Sequence, residues 1–177
     1  PGPSFEVDVR SARDGRARLA FTGGLTLGID RERGWQTSEG GHDALGLSPE
    51  EHELVRGHEL LMRVVAPHTR FPALSFGGET TFAQQPALRL SGVDNLGGAV
   101  DAFYSIADTT FLGYMVEDHL RGLGTVTATL SDWRPIGALQ LPHRAEFSQG
   151  PETFVYDIFD VVVRGAVATD ELGPEAT

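Results

Sequence analysis

Residues 101–165 constrain the fold most, because strand patterns follow one another there with short turns and almost no helix signal. Apolar and polar residues alternate over 125–131, a turn follows near Gly137, and the pattern resumes at Leu139. A period of two is typical of β-strands, and short connections join antiparallel neighbours. The stretch therefore predicts an antiparallel meander that either covers a core with one face or curves around a ligand.

The composition is that of one ordinary globular domain. The chain has 177 residues, is 40% hydrophobic and contains no Cys, which excludes disulfides and thiolate chemistry. All 14 basic residues are Arg, against 25 acidic residues, and the net charge of -11 argues against a nucleic-acid binder. No apolar run reaches the ~18–20 residues that span a bilayer, and no signal peptide is visible.

Two sets of predicted strands flank one predicted helix. The first set comprises residues 5–10, 17–21, 25–30 and 34–37, and the second comprises residues 87–91, 100–106, 110–117, 125–131, 139–147 and 153–163. Ser48 is a suitable N-cap and Pro67 stops the pattern, which predicts an amphipathic helix over residues 48–65 with Arg63 near its end. Residues 71–85 hold a glycine pair and scattered aromatics, which predicts an apolar loop acting as a lid.

The last predicted strand, residues 153–163, has apolar side chains at both odd and even positions. In an antiparallel sheet this pattern predicts that both faces are covered or line a cavity. Residues 166–177 are small and acidic and predict a loose tail. The elements together predict an α+β fold in one domain over residues 1–165, in which the helix and the apolar loop cover the concave face of a curved antiparallel sheet.

The order of these parts resembles the LolA/LolB-like superfamily of bacterial periplasmic lipoprotein carriers, of which the chain looks like a diverged member. The residues that carry the resemblance are Asp132, Trp133, Arg134, Gly137, Leu141, Pro142, His143 and Arg144. Weaker support comes from Gly34–Trp35 after the early hairpin and from the turn over residues 107–110.

The resemblance implies a half-open β-barrel whose hydrophobic cavity, capped by helices, holds lipid acyl chains in the periplasm. It implies a carrier that needs no cofactor. Members of the family usually begin with a helix and a strand before the segment that matches residues 5–10. This sequence begins at Pro1 without Met, so we expect a trimmed chain or a barrel completed in another way.

Ten apolar residues are predicted to line the cavity, although core packing alone would also explain each of them. They come from the predicted helix, the predicted loop and the second strand set: Leu54, Leu61, Phe76, Phe82, Phe103, Leu112, Tyr114, Leu130, Tyr156 and Ile158.

The polar residues contain two candidate patterns for metal binding or catalysis, and neither has the required spacing. His52–Glu53 and His58–Glu59 repeat on the predicted helix, but residues six apart lie roughly 120° apart around a helix, so they do not share a face. Glu117 and Asp118 are adjacent in a strand and face opposite ways. Nucleophile elbows, P-loops and dinucleotide fingerprints are absent from the sequence. The sequence therefore predicts no enzyme, no metal and no cofactor.

Three hypotheses for the function follow. The first is a non-enzymatic carrier of lipid, acyl chains or lipoprotein in the bacterial envelope. The alternative is a structural or interaction subunit of an envelope or surface assembly, with a filled barrel and an open sheet edge for a protein partner. The third is an accessory domain of a larger secreted hydrolase.

Overall fold

Both parts of the fold are antiparallel sheets that do not close on themselves. A computed structural model of the protein describes residues 6–12, 14–30, 33–37, 45–48, 52, 55–57, 59–69, 71, 73–94, 97–118 and 124–163. The chain divides into two compact units, of which the first comprises Pro1–Met62 and Arg164–Thr177 and the second comprises Arg63–Val163. The prediction of one domain over residues 1–165 stays a prediction.

The first unit is built on a five-stranded sheet whose strands follow chain order. The strands are β1 (Val7–Ser11), β2 (Ala17–Phe21), β3 (Thr26–Asp30), β4 (Arg33–Thr37) and β5 (Leu45–Gly46). All four early strands predicted from the sequence are therefore confirmed. Leu19, Ile29 and Val55 form the centre of this unit's core. Alternation in β2 and β3 places Leu19 and Ile29 on one face of the sheet, where helical Val55 packs with them.

The single long helix predicted over residues 48–65 is not what the structure shows. The N–H of His52 donates to the Ser48 carbonyl at 2.9 Å, as at a helix start. Residues 55–57 are also helical, but Glu59 is not, and the helix α1 (Leu60–Val65) follows it. The interruption directly follows Gly57, a residue type that disfavours helices, and it coincides with a hydrogen bond of 2.9 Å from buried Arg56 to the Glu59 carboxylate.

The second unit begins with the rest of α1 and a short 3-10 helix over Pro67–Thr69. Its seven-stranded sheet is a meander in which each strand pairs with its neighbours in the chain. The strands are β6 (Ser75–Phe82), β7 (Gln85–Val93), β8 (Ala99–Ser105), β9 (Phe111–Asp118), β10 (Gly124–Ile136), β11 (Leu139–Gln149) and β12 (Glu152–Asp157). The antiparallel meander predicted from residues 101–165 is confirmed.

The predicted apolar lid over residues 71–85 is wrong for most of its length, because Ser75–Phe82 is the edge strand β6, paired with β7. The pairing shifts register between Phe76 and Gly78, and Gly78 has a φ of 103°. An edge strand tolerates such a bulge because one of its sides needs no partner. Gly77 and Gly78, which permit the bulge, are also typical of loops, and for that reason the sequence of this strand predicted a loop.

The prediction that both faces of the last strand are covered is also wrong. Strand β12 ends at Asp157, and no strand pairing is present over residues 158–163. Phe159 is 77% exposed and Val162 is 72% exposed. The reason is that β12 is the edge of the sheet, so nothing in the sheet continues beyond it. The predicted tail over residues 166–177 lies outside the described residues.

No helix within the described part of the chain is both long enough and apolar enough to cross a membrane.

Candidate functional site

One face of the second sheet is centred on Tyr114. This residue lies on β9 opposite Ala102 of β8 and opposite Ala128 of β10. Side chains of residues paired directly across antiparallel strands project to the same side of the sheet. We call this side the Tyr114 face, and it continues across β10, β11 and β12 through Leu130, Ala145, Phe147 and Tyr156.

Small side chains surround Tyr114 on this face. Ala102, Ala128 and Ala145 are all fully buried. An alanine fills much less volume above a sheet than a leucine or a phenylalanine, so these positions leave room for large rings from neighbouring strands. The result is a floor of small residues on which aromatic side chains lie.

Aromatic rings form a connected cluster on this floor. The Tyr114 ring lies 5.8 Å from the Phe71 ring, 6.4 Å from the Phe111 ring and 6.5 Å from the Phe147 ring, measured between centroids. Phe147 also meets Tyr156 edge to face at 5.3 Å. Such pairs prefer tilted or offset geometries and bury a large apolar area. We call these five residues the aromatic cluster.

Arg63, at the start of the second unit, lies directly over the aromatic cluster. Its guanidinium carbon is 4.4 Å from the Tyr114 ring centroid and 6.0 Å from the Phe71 ring centroid. Its side chain also hydrogen-bonds to Tyr114. A cation above an aromatic face is attracted by the negative charge of the π system. The cluster therefore carries one positive charge in otherwise apolar surroundings.

Burial raises the pKa of the Tyr114 phenol, and the Arg63 charge offsets that rise in part. Burial also raises the pKa of Tyr104 and of Tyr156, and the neighbouring Tyr114 adds to the rise at Tyr156. These three residues are all the tyrosines of the chain.

Ionisation of tyrosine is therefore expected to begin only above the ordinary pKa of about 10. Since the folded pKa lies above the unfolded one, folding stability should be fully present below pH ~10 and should decline as the pH rises further. A titration followed by the ultraviolet absorbance of tyrosinate checks this. Half-ionisation of the tyrosines in the folded protein at pH 10 would contradict the burial of Tyr114.

The ten residues predicted to line a cavity are not all brought together. Tyr114, Leu130 and Tyr156 share the Tyr114 face. Phe76 pairs with Leu90 on the same side of the sheet but is 68% exposed on the edge strand. Leu61 and Ile158 are half-buried outside the sheet, and Leu54 lies outside the described residues.

Three of the ten residues form a separate cluster on the opposite face of the sheet. Phe82 and Phe103 stack at 4.1 Å between ring centroids, and buried Leu112 packs with them. Phe103 follows Ala102 directly in β8, so its side chain points away from the Tyr114 face. These three residues cannot line one pocket together with Tyr114.

The opposite face also carries a shallow groove with a volume of about 330 Å³. Its lining includes Ser91, Asp101, Glu117 and Thr125, and the Ser91 hydroxyl donates a hydrogen bond to the Asp101 carboxylate. Val100 and Met115 also line the groove, but its two carboxylates make it a poor site for an acyl chain. Within the described residues no three His, Asp or Glu side chains converge in a way that could hold a metal ion.

The segment that carries the family resemblance forms one ion pair within β10 and another between β11 and β12. Arg134 donates two hydrogen bonds to the Asp132 carboxylate, which lowers the pKa of Asp132. Arg144 on β11 donates to Asp157 on β12 at 2.6 Å. The buried His143 ring lies with its Nδ1 3.2 Å from the Leu141 carbonyl oxygen. These contacts are structural, and none of them faces a described pocket.

The fold matches solved structures although the sequence does not match known families. No protein-family model and no curated protein matches the chain. A LolA superfamily protein from Nitrosomonas europaea superimposes with a TM-score of 0.68 at 12% identity, covering 97% of this chain and 82% of that one. A domain named for outer membrane lipoprotein sorting, from Vibrio parahaemolyticus, gives 0.64 at 10% identity, covering 95% and 80%.

At such low identity the likeness concerns the backbone, and it agrees with the resemblance carried by the segment from Asp132 to Arg144. The chain therefore shares its backbone fold with these two structures.

Proposed function

We propose that the protein is a non-enzymatic carrier that binds acyl chains of lipid or lipoprotein in the bacterial envelope, after export. The observation that supports it most directly is the Tyr114 face, where aromatic side chains pack over buried alanines and where Phe147 and Tyr156 are only half-buried. An acyl chain would be bound by burial of apolar area, at about 25 cal/mol per Å². The pocket would comprise Tyr114, Leu130, Phe147 and Tyr156.

The comparisons add indirect support. The fold is shared over most of this chain with both structures, and one of them is named for outer membrane lipoprotein sorting. Proteins with the same fold can have different functions, so the proposal depends on the residues of the Tyr114 face. Periplasmic location is proposed on the same basis and is tested by fractionating the native host.

A large side chain introduced on the Tyr114 face should weaken ligand binding. Ala145 lies between Leu130 and Tyr156, so Ala145→Phe would project a ring into the proposed pocket. We expect the affinity for a fluorescent fatty-acid probe to fall at least tenfold, at a stability cost of about 1–3 kcal/mol from overpacking. Fluorescence titration measures the affinity, and urea unfolding measures the stability cost.

The matched control is Ala87→Phe. Ala87 is equally buried in the same sheet but belongs to the Phe82–Phe103 cluster on the opposite face. The Ala87→Phe substitution should lower the free energy of unfolding by a similar amount and leave the affinity for the probe unchanged. Lipid extraction of freshly purified protein gives an independent test, since a carrier should copurify with acyl chains. Equal loss of binding in both variants, or no probe binding by the wild type, would count against the carrier function.

A second function is favoured by one observation, the exposed apolar residues at and beyond edge strand β12. Phe154 is 49% exposed and Phe159 is 77% exposed. An open edge strand can accept a strand from another protein, which would make this chain a subunit of an envelope or surface assembly. Size-exclusion chromatography with light scattering separates the two functions, because a carrier should be monomeric and an assembly subunit should not.

A further inference from the structure

Arg63 is a cation whose hydrogen-bonding capacity is largely unused. A guanidinium has several N–H donors arranged as a planar fork. Within the part of the chain that the structure describes, Tyr114 is the one side chain that hydrogen-bonds to it, and its Nε is buried without a partner. No carboxylate among the described residues forms an ion pair with it. A buried donor without an acceptor costs about 1–3 kcal/mol, so a bound acceptor would relieve a real penalty.

Two of the other buried or half-buried arginines in the described chain, Arg56 and Arg89, have carboxylate or backbone partners. Arg56 pairs with Glu59 at 2.9 Å and donates to the Gly15 carbonyl. Arg89 also has an unpartnered Nε, but it donates to the Gly77 carbonyl at 3.0 Å, on the side of the sheet opposite to Tyr114. Arg63 differs from both because it lies over two aromatic rings and because no backbone or carboxylate oxygen of the described residues accepts from it.

We propose that Arg63 binds the anionic head of a single-chain amphiphile, of which a fatty-acid carboxylate is the simplest, while the tail lies along the Tyr114 face. This inference rests on the proposed function. Arginine and carboxylate can form two parallel charge-assisted hydrogen bonds, which would occupy the buried Nε. The low dielectric of the aromatic surroundings strengthens such an interaction.

The overall charge of the protein sharpens the selectivity that this site would have. With a net charge of -11 the surface repels anions in general, so the local positive charge at Arg63 has to supply the attraction. An ester-linked acyl chain carries no negative charge next to its carbonyl and gains much less from a guanidinium. The preferred cargo would therefore be a free anionic amphiphile rather than an esterified chain.

Two probes with the same tail test the inference. Laurate and methyl laurate differ in the charge of the head, and both are titrated at pH 8 by calorimetry or by displacement of a fluorescent probe. The wild type should bind laurate at least tenfold more tightly than methyl laurate, given the strength of hydrogen bonds to charged groups. Arg63→Gln should remove this preference while leaving the affinity for methyl laurate unchanged. Arg63→Lys should retain part of the preference, because it keeps the charge but not the fork.

Arg89→Gln is the matched control, since it removes the same charge from the opposite face and should leave the preference intact. Equal wild-type affinity for both probes would overturn the inference but leave the carrier function standing. A wild type that binds neither probe would refute the carrier function itself. If Arg63→Gln lowers the affinity for both probes equally, Arg63 only supports the fold. Competition by acetate as effective as that by laurate would mean a small-anion site and would also overturn the proposal.

Discussion

Replacing Glu59 with alanine is expected to lower the free energy of unfolding by about 3–5 kcal/mol. The carboxylate is 2% exposed and accepts from Arg56, which is itself only 8% exposed. Removing one partner of a buried ion pair leaves the other charge desolvated and uncompensated. Urea unfolding should be followed by tryptophan fluorescence in a Trp133→Phe background. In that background Trp35 is the remaining tryptophan, and it lies in the same unit as the ion pair.

The double replacement Arg56→Leu with Glu59→Leu is the control for this prediction. It removes both charges and keeps apolar volume at the site, so it should recover a large part of the loss caused by Glu59→Ala. A single variant as stable as the wild type would mean that the two side chains are solvated and that the break in the helix before Leu60 has another cause.

Gly113→Ala is expected to destabilise the second unit by about 3 kcal/mol or more, from backbone strain and overpacking together. Gly113 has a φ of 149°, which L-residues rarely adopt, and a Cβ added there would lie 2.0 Å from the Ala128 carbonyl oxygen. That oxygen belongs to the backbone of a paired strand and cannot move without breaking the pairing. Thermal unfolding followed by circular dichroism should show a melting temperature lower by roughly 6–12 °C.

Gly150→Ala separates the backbone term from the steric clash. Gly150 also has a positive φ, of 55°, but nothing lies within 4 Å of the position that its Cβ would take. We expect a loss of only about 1–2 kcal/mol there, from the left-handed conformation alone. An equal loss in free energy of unfolding for both variants would contradict the close approach of β9 and β10 at Gly113.

The central strands were predictable because each has one buried and one less buried face. Strand β2 alternates Ala17, Leu19 and Phe21 with polar or small residues, and strand β10 does the same around Ala128 and Leu130. The meander order followed from the short turns between such strands. The resemblance to the LolA superfamily, confirmed at the level of the fold, rested on the turn segment between β10 and β11.

The elements that sequence reasoning missed are those whose form depends on distant partners. Strand β6 contains Gly77 and Gly78 and is largely exposed, so only its pairing with β7 identifies it as a strand. The helix over residues 48–65 has the periodicity of a single element. Its interruption at Glu59 accompanies a buried ion pair that periodicity does not encode.

The faces of the second sheet could not be assigned from alternation alone. Phe103 pairs with Gly113, but Tyr104 pairs with Phe111, so Leu112 is an extra residue in β9. Such a bulge reverses the side to which later residues point, and sequence alternation then assigns them to the wrong face. This is why Leu112 lies on the opposite face from Tyr114 although the two are only two residues apart. Arg63 looked like an ordinary cation at a helix end, and its place above Tyr114 depends on the tertiary structure.

The most direct test is photolabelling of the protein with a fatty acid that carries a diazirine in its tail, followed by mass spectrometry of the labelled peptides. If an acyl chain lies on the Tyr114 face, the label should appear at Leu130, Phe147 or Tyr156, and unlabelled laurate should suppress it. Label concentrated at Phe103 or Met115 on the opposite face, or label that laurate does not displace, would contradict an acyl-binding site on the Tyr114 face.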